Sequence, residues 1–382
     1  MIGAGVFVVF SPAAAAAGSG LLAGLAVAAV VACCNALSSA RLAVRYPESG
    51  GAYLYGRERL GPFWGYLAGW CFVVGKVASC AAMALTVGLY LWPAAAHAVA
   101  VAAVVALTAV NYRGIQKSAW ATRVIVALTL AVLAAAVTVV ATSGRSEPDP
   151  FALTGATPDG VLQAAGLLFF AFAGYARITT LAEEVRDPAR SIPRAVLVSL
   201  GITLAVYVAV AVALLSALGP QRLAVSTAPL ADAVRVSGAT GFEPILRLGA
   251  AVAALGSLLA LILGVSRTVL AMARDRYLPG MLAVVHPRFG VPHRAEVAVG
   301  AVVAVLAGLA DVRAAIGFSS FAVLVYYAVA NAAAWTLGHR AVPAAGLAGC
   351  LLLAASLPVP SVLTGAALLV AGAAGYAAVR LR

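Results

Sequence analysis

The chain has 382 residues, 64% hydrophobic and 10% charged, with a mean hydropathy of +1.03 and a formal net charge of +12. Soluble domains run about 45–50% apolar and about 25% charged, so a chain this apolar cannot cover itself with polar surface in water. That excludes a soluble enzyme, a secreted disulfide scaffold and a nucleic-acid binder. It leaves an integral membrane protein, whose basic excess marks loops on one side of the bilayer.

A helix needs about 20 apolar residues to cross about 30 Å of hydrocarbon. Charged, Pro and Gly punctuation places spans at 20–44, 62–92, 94–111, 120–142, 160–182, 194–218, 244–273, 295–310, 314–336, 341–357 and 361–379. Ahead of them, Val6 to Ala17 would rise only about 18 Å as a helix, half a span. The expected fold is therefore an all-α polytopic membrane protein of about 12 transmembrane helices, the first one partial.

The loops give the orientation. Arg41, Arg45, Arg57, Arg59, Arg113, Lys117, Arg123, Arg177, Arg186, Arg190, Arg194, Arg267, Arg274, Arg276, Arg288, Arg294, Arg340, Arg380 and Arg382 fall on one side. The other side keeps Arg145, Arg222, Arg235, Arg247 and Arg313. Positive loops stay inside, so the first side is cytoplasmic, and with it the C-terminus.

Three segments carry candidate chemistry. In Gly3-Ala4-Gly5-Val6-Phe7, paired glycines permit a helix break, whose freed amides can bind a charged substrate at mid-membrane. A close-packing notch is the plainer reading. Phe169-Phe170-Ala171-Phe172-Ala173-Gly174-Tyr175, midway along its span, sets one Gly among four aromatics. A packing stripe is the plainer reading there, but two Gly-interrupted segments, first and sixth in line, suit a five-plus-five inverted repeat. Glu183-Glu184-Val185-Arg186-Asp187-Pro188-Ala189-Arg190-Ser191-Ile192-Pro193 follows as the densest charge cluster, a cytoplasmic gate or simply a solvated loop. In it Pro193 suits the first turn of the next helix.

Taken together these residues make the chain resemble the amino acid permeases of the amino acid–polyamine–organocation (APC) superfamily. Gly3 to Phe7 is similar to that family's first-helix break. Tyr46-Pro47-Glu48-Ser49-Gly50-Gly51-Ala52-Tyr53 and Leu67-Ala68-Gly69-Trp70 resemble its loop after the second helix and the start of its third, and Phe169 to Pro193 its sixth helix and following loop. The resemblance implies a single transmembrane transporter domain: a first repeat over 1–142, a second over 160–336, and two peripheral helices over 341–382. It implies alternating access about breaks in helices one and six. The backbone of Gly3, Ala4, Gly5 and Val6 would take the substrate carboxylate, and that around Phe172, Ala173 and Gly174 its amino group. Phe172 and Tyr175 would shape or gate the side-chain pocket. Independently of the resemblance, Arg177, Glu183, Glu184 and Arg186 are candidates for a cytoplasmic gate; Arg177 could pair with Glu183 or Glu184, line the cytoplasmic path, or snorkel to the interface.

Lys76 is not settled by the resemblance. A lysine in mid-span must face the interior, find a partner or lose its proton. It is a candidate for proton coupling, or else a structural lysine bonded to broken-helix carbonyls. Ser257 and Ser266 offer hydroxyls near helix one or act as interhelical glue. The cysteines Cys33, Cys34, Cys71, Cys80 and Cys350 read as small packing residues, and the four histidines have no ligand spacing, so neither metal nor cofactor is expected.

The sequence thus points to a secondary-active permease in the cytoplasmic membrane, driven by protons or a counter-substrate. Its partners would be a small amino acid and the lipid bilayer, with no nucleic acid and no obligate protein partner. A polyamine or organocation exchanger, or a non-transporting truncated membrane protein, is the alternative. Reading the DNA upstream of Met1 in frame is expected to reveal an apolar half-helix and a basic tail; an immediate in-frame stop would favour the truncated reading.

Overall fold

A computed structural model describes residues 2–48, 50–114, 119–143, 155–175 and 188–380. Among them the regular structure is helical, with no strand. In hydrocarbon every backbone polar group must be satisfied within its own segment, which leaves the helix as the economical solution for so apolar a chain. The helices are α1 (Gly5–Val8), α2 (Phe10–Ala17), α3 (Leu21–Arg45), α4 (Ala52–Leu60), α5 (Pro62–Leu91), α6 (Ala96–Tyr112) and α7 (Ala119–Thr142). After them come α8 (Pro158–Phe172), α9 (Pro188–Val225), α10 (Pro229–Val236), α11 (Glu243–Arg274), α12 (His293–Leu309), α13 (Val312–Trp335), α14 (Ala341–Ala355) and α15 (Val359–Arg380). Eight helical stretches are long and apolar enough to cross a membrane, and α8 and α14 are shorter apolar helices.

Each expected span coincides with a helix, the span 160–182 only in its first part, since residues 176–187 lie outside the described residues. Starts are set locally. Pro62, Pro158 and Pro229 take first-turn positions, where the missing N–H costs nothing. Asp311 caps α13 by accepting from Arg313 N at 2.8 Å. One expectation is corrected: α9 opens at Pro188, so Pro193 lies inside the helix, in its second turn. Pro188 already supplies the preset φ and absent donor that favour a first turn. The same helix kinks at Gly219, whose φ of 65° only glycine adopts freely.

The packing repeats itself. Four core helices of the first half lie against their counterparts in the second: α2 on α8, α3 on α9, α5 on α11, α6 on α12. Exchanging the halves preserves the other neighbours too, so that α5–α13 answers α11–α7 and α3–α8 answers α9–α2. The short α4, between α3 and α5, corresponds to the short α10, between α9 and α11. The halves run in opposite directions. Near the start of α5, Arg57 pairs with Asp275 just past the end of α11 at 3.1 Å. At the other end of α5, Tyr90 O accepts from Arg247, near the start of α11, at 3.1 Å. The fold is therefore a five-plus-five inverted repeat.

Both short helices are latched to α11. On α4, Tyr53 donates its hydroxyl to the Asp275 carboxylate that Arg57 also binds. Burial, and then that hydrogen bond, push the Tyr53 phenol above its ordinary range, so it stays a donor. On α10, Arg235 binds Glu243 at 2.7 Å, and Glu243 also binds Arg247 at 2.8 Å. Outside the repeats, α14 is fixed by the Cys350 thiol, which donates to Asn35 Oδ1 at 3.3 Å; the same oxygen accepts from Asn331 Nδ2 at 2.6 Å, a bond that joins α13 to α3. Trp70 donates to Leu368 O at 3.0 Å and ties down α15.

Small residues allow this closeness. A Cβ on Gly88 would stand 2.7 Å from the Ala96 carbonyl carbon, whereas one on Gly201 would meet nothing within 4 Å. Gly88→Ala is expected to cost about 1–3 kcal/mol, because backbone has to move. Gly201→Ala is expected to be neutral or to gain up to about 1 kcal/mol. Thermal unfolding of both variants in detergent micelles checks the contrast.

Candidate functional site at the two helix breaks

The centre of the bundle holds one helix start and one helix end. Regular bonding begins with Phe7 N to Ala4 O at 3.0 Å and Val9 N to Gly5 O at 3.0 Å. The amides of Ala4, Gly5 and Val6 are thus the orphan donors of a helix N-terminus, and α2 continues the rod with Ala13 N to Val9 O at 3.3 Å. Against them α8 stops at Phe172 and tightens into a 3-10 turn, Ala173–Tyr175. The positive end of one helix therefore lies beside the negative end of another.

Glycine makes the approach possible. A Cβ on Gly5 would stand 3.1 Å from Ala171 Cα, and one on Gly3 would collide with the Ser257 side chain from α11. Gly3, Ala4, Gly5, Val6, Phe172 and Ala173 are buried, whereas Gly174 is exposed. The start of α1 and the end of α8 are thus in close contact.

Three side chains brace the break from outside it. Lys76 on α5 donates Nζ to Ala173 O at 3.2 Å, in the 3-10 turn that follows α8. Tyr207 on α9 donates to Ala171 O at 2.9 Å and meets Phe172 and Phe10 edge-on, with centroids 5.2 and 6.3 Å away. Tyr90 on α5 does the same for the first break, donating to Phe7 O at 2.8 Å with its ring edge-on to Phe7 at 5.7 Å. A lysine, a tyrosine and a second tyrosine satisfy backbone oxygens that water would otherwise have to reach.

Other expected residues fall elsewhere. Phe172 is fully buried, with its ring edge-on to Tyr207. The Tyr175 side chain and the whole of Arg177, Glu183, Glu184 and Arg186 lie outside what is described. Ser257 donates to Ala253 O at 2.9 Å on its own helix and Ser266 to Ile262 O at 2.8 Å. Tyr90 and Tyr207 were not singled out from the sequence. The signal for Tyr207 is a phenol hydroxyl within the apolar run Leu204-Ala205-Val206-Tyr207-Val208-Ala209-Val210, which in hydrocarbon demands a partner.

Among known proteins, the amino acid permease family model matches residues 1–374. An uncharacterized transporter of Mycobacterium tuberculosis is 68% identical over 388 residues, covering 100% of this chain and 88% of that protein. The methylthioribose transporter of Bacillus subtilis is 31% identical over 340 residues, 81% of this chain and 71% of its own. The branched-chain amino acid permease BcaP of the same organism is 28% identical over 334 residues, with the same two coverages of 81% and 71%.

Removing one brace tests its weight. Tyr207→Phe keeps the ring and leaves Ala171 O unpaired, and is expected to lower stability by about 1–3 kcal/mol, the cost of an unsatisfied buried acceptor. Unchanged thermal unfolding would mean the hydroxyl bears no such load.

Proposed function

Since the chain belongs to the amino acid permease family, a multi-pass transporter rather than an enzyme, we propose that it carries amino acids across the cytoplasmic membrane by alternating access, coupled to protons. The observation that carries this reading is the meeting of the α1 start with the α8 end. A zwitterion has one charge for each: its carboxylate suits the amides of Ala4, Gly5 and Val6, and its ammonium suits the carbonyls beyond Phe172. Organocation substrates would favour carboxylates in the pocket, and the described parts of the two break segments carry none. The C-terminus is cytoplasmic in this reading, because the arginine-rich loops lie on its side.

Lys76 is the coupling group. Charged, it holds the Ala173 carbonyl; neutral, it holds it less strongly and releases the end of α8 toward the substrate ammonium. The proton and the substrate thereby compete for the same helix end, which ties one to the other.

Two variants in proteoliposomes test the reading. Gly5→Leu forces the breaks apart and is expected to bring amino acid uptake down to the background of empty vesicles; undiminished uptake would refute the site. Lys76→Met is expected to abolish accumulation driven by an imposed pH gradient while leaving counterflow exchange. Retained pH-driven accumulation would remove Lys76 from the coupling.

A further inference from the structure

Two charged side chains are buried among the described residues, Lys76 at the centre and Glu296 in the first turn of α12. Glu296 is 0% exposed, and neither carboxylate oxygen has a hydrogen-bond partner. Around it the polar groups are also unpaired: Thr108 Oγ1, packed against Gly300 one turn along α12, and Nδ1 of His293 one turn back. Such a concentration of unsatisfied atoms in one place is what a site for a small polar ligand leaves behind.

Among the described residues the charged and titratable groups around it are few. From α11 comes Arg267, whose charge reaches Glu296 without a hydrogen bond to it. From α6 come Tyr112, whose ring meets His293 at 5.9 Å, and the exposed Arg113. The loop before α12 brings His286, edge-on to His293 at 5.2 Å, and α5 contributes apolar side chains and the Cys80 thiol. The 3-10 turn Gly280–Ala283 brings no charge, and Arg294 on α12 itself is exposed. Arg267 lines a cavity of about 30 Å³ together with Asn111, Gly114, Gly290 and Pro292, and Pro292 O accepts the Glu296 amide at 2.9 Å. That volume is about one water's share of the liquid.

We propose that Glu296 is a proton-binding site, a neutral carboxylic acid in this conformation that exchanges its proton through the water-sized cavity beside Arg267. An ionised carboxylate with no donor costs several kcal/mol in such surroundings, and the neutral acid avoids it. The ionised form needs Arg267, which is exposed here, to turn inward and pair with it. The site therefore has two states, protonated with Arg267 outside and ionised with Arg267 inside. Because Arg267 belongs to α11 and Glu296 to α12, proton occupancy reports how these two helices sit against each other. The inference needs neither the substrate assignment nor Lys76.

Infrared spectroscopy of the full chain in lipid nanodiscs tests it, with isotopically labelled glutamate. At neutral pH a protonated-carboxyl band is expected that shifts with the label and is lost in Glu296→Gln, a neutral isostere of the protonated acid. No labelled band in the wild type, or an undiminished band in Glu296→Gln, overturns the proposal. Arg267→Gln, at an exposed position, serves if the first variant does not fold. Without the cation that, among the described residues, acts on the carboxylate, the band is expected to survive to higher pH than in the wild type. A band that disappears at the same pH in both also overturns it.

Discussion

The end of α8 inside the bundle is the constraint on which the centre depends. A helix that stops in hydrocarbon leaves carbonyls with no water to receive them, and each must be met by something else. Lys76 meets Ala173 O, and Tyr207 meets Ala171 O. Lys76 lies 97 residues away on α5 and Tyr207 36 residues away on α9, so two long helices share in holding the end of α8. The break is thus held open by its neighbours, and its cost is spread over the bundle.

Those neighbours are brought together by small side chains. With lipid tails as apolar as leucine, helices do not associate by escaping solvent, and close contact has to supply the attraction. Gly5 against Ala171, Gly24 against Ala164 and Gly75 against Ala322 are points where a side chain would hold two helices apart. The inverted arrangement follows from the same contacts, since each half offers the other a copy of the surface it uses itself. Polar groups then fix register at few places, Asn35 with Asn331 being one.

Much of this was legible in the sequence because hydrocarbon thickness sets helix length. The run Pro62–Leu91 and the half-span before Gly18 could be read from hydropathy and glycine alone. The two breaks could be read as well, since Gly3, Gly5 and Gly174 interrupt otherwise uniform apolar segments. What joins them could not. The bond from Lys76 to Ala173 spans 97 residues and depends on which face of α5 turns inward. A one-residue error in register points a side chain the other way. Pro193 looked like a helix start because the earlier Pro188 does the same work five residues sooner. Glu296, close to a span end, had the sequence signature of a solvated charge and none of a buried one.

The two latches make α11 a shared member. Its 32 residues rise about 48 Å, the reach of the whole bilayer with its headgroups. Glu243 at one end holds Arg235 of α10, and Asp275 at the other holds Tyr53 and Arg57 of α4. A rod anchored at both extremities cannot yield at one of them alone: sliding or tilting it alters the load at the far end in the same movement. The two faces of the membrane are mechanically in communication through this one helix, over a distance at which electrostatic attraction between the two latches is already extinguished by salt.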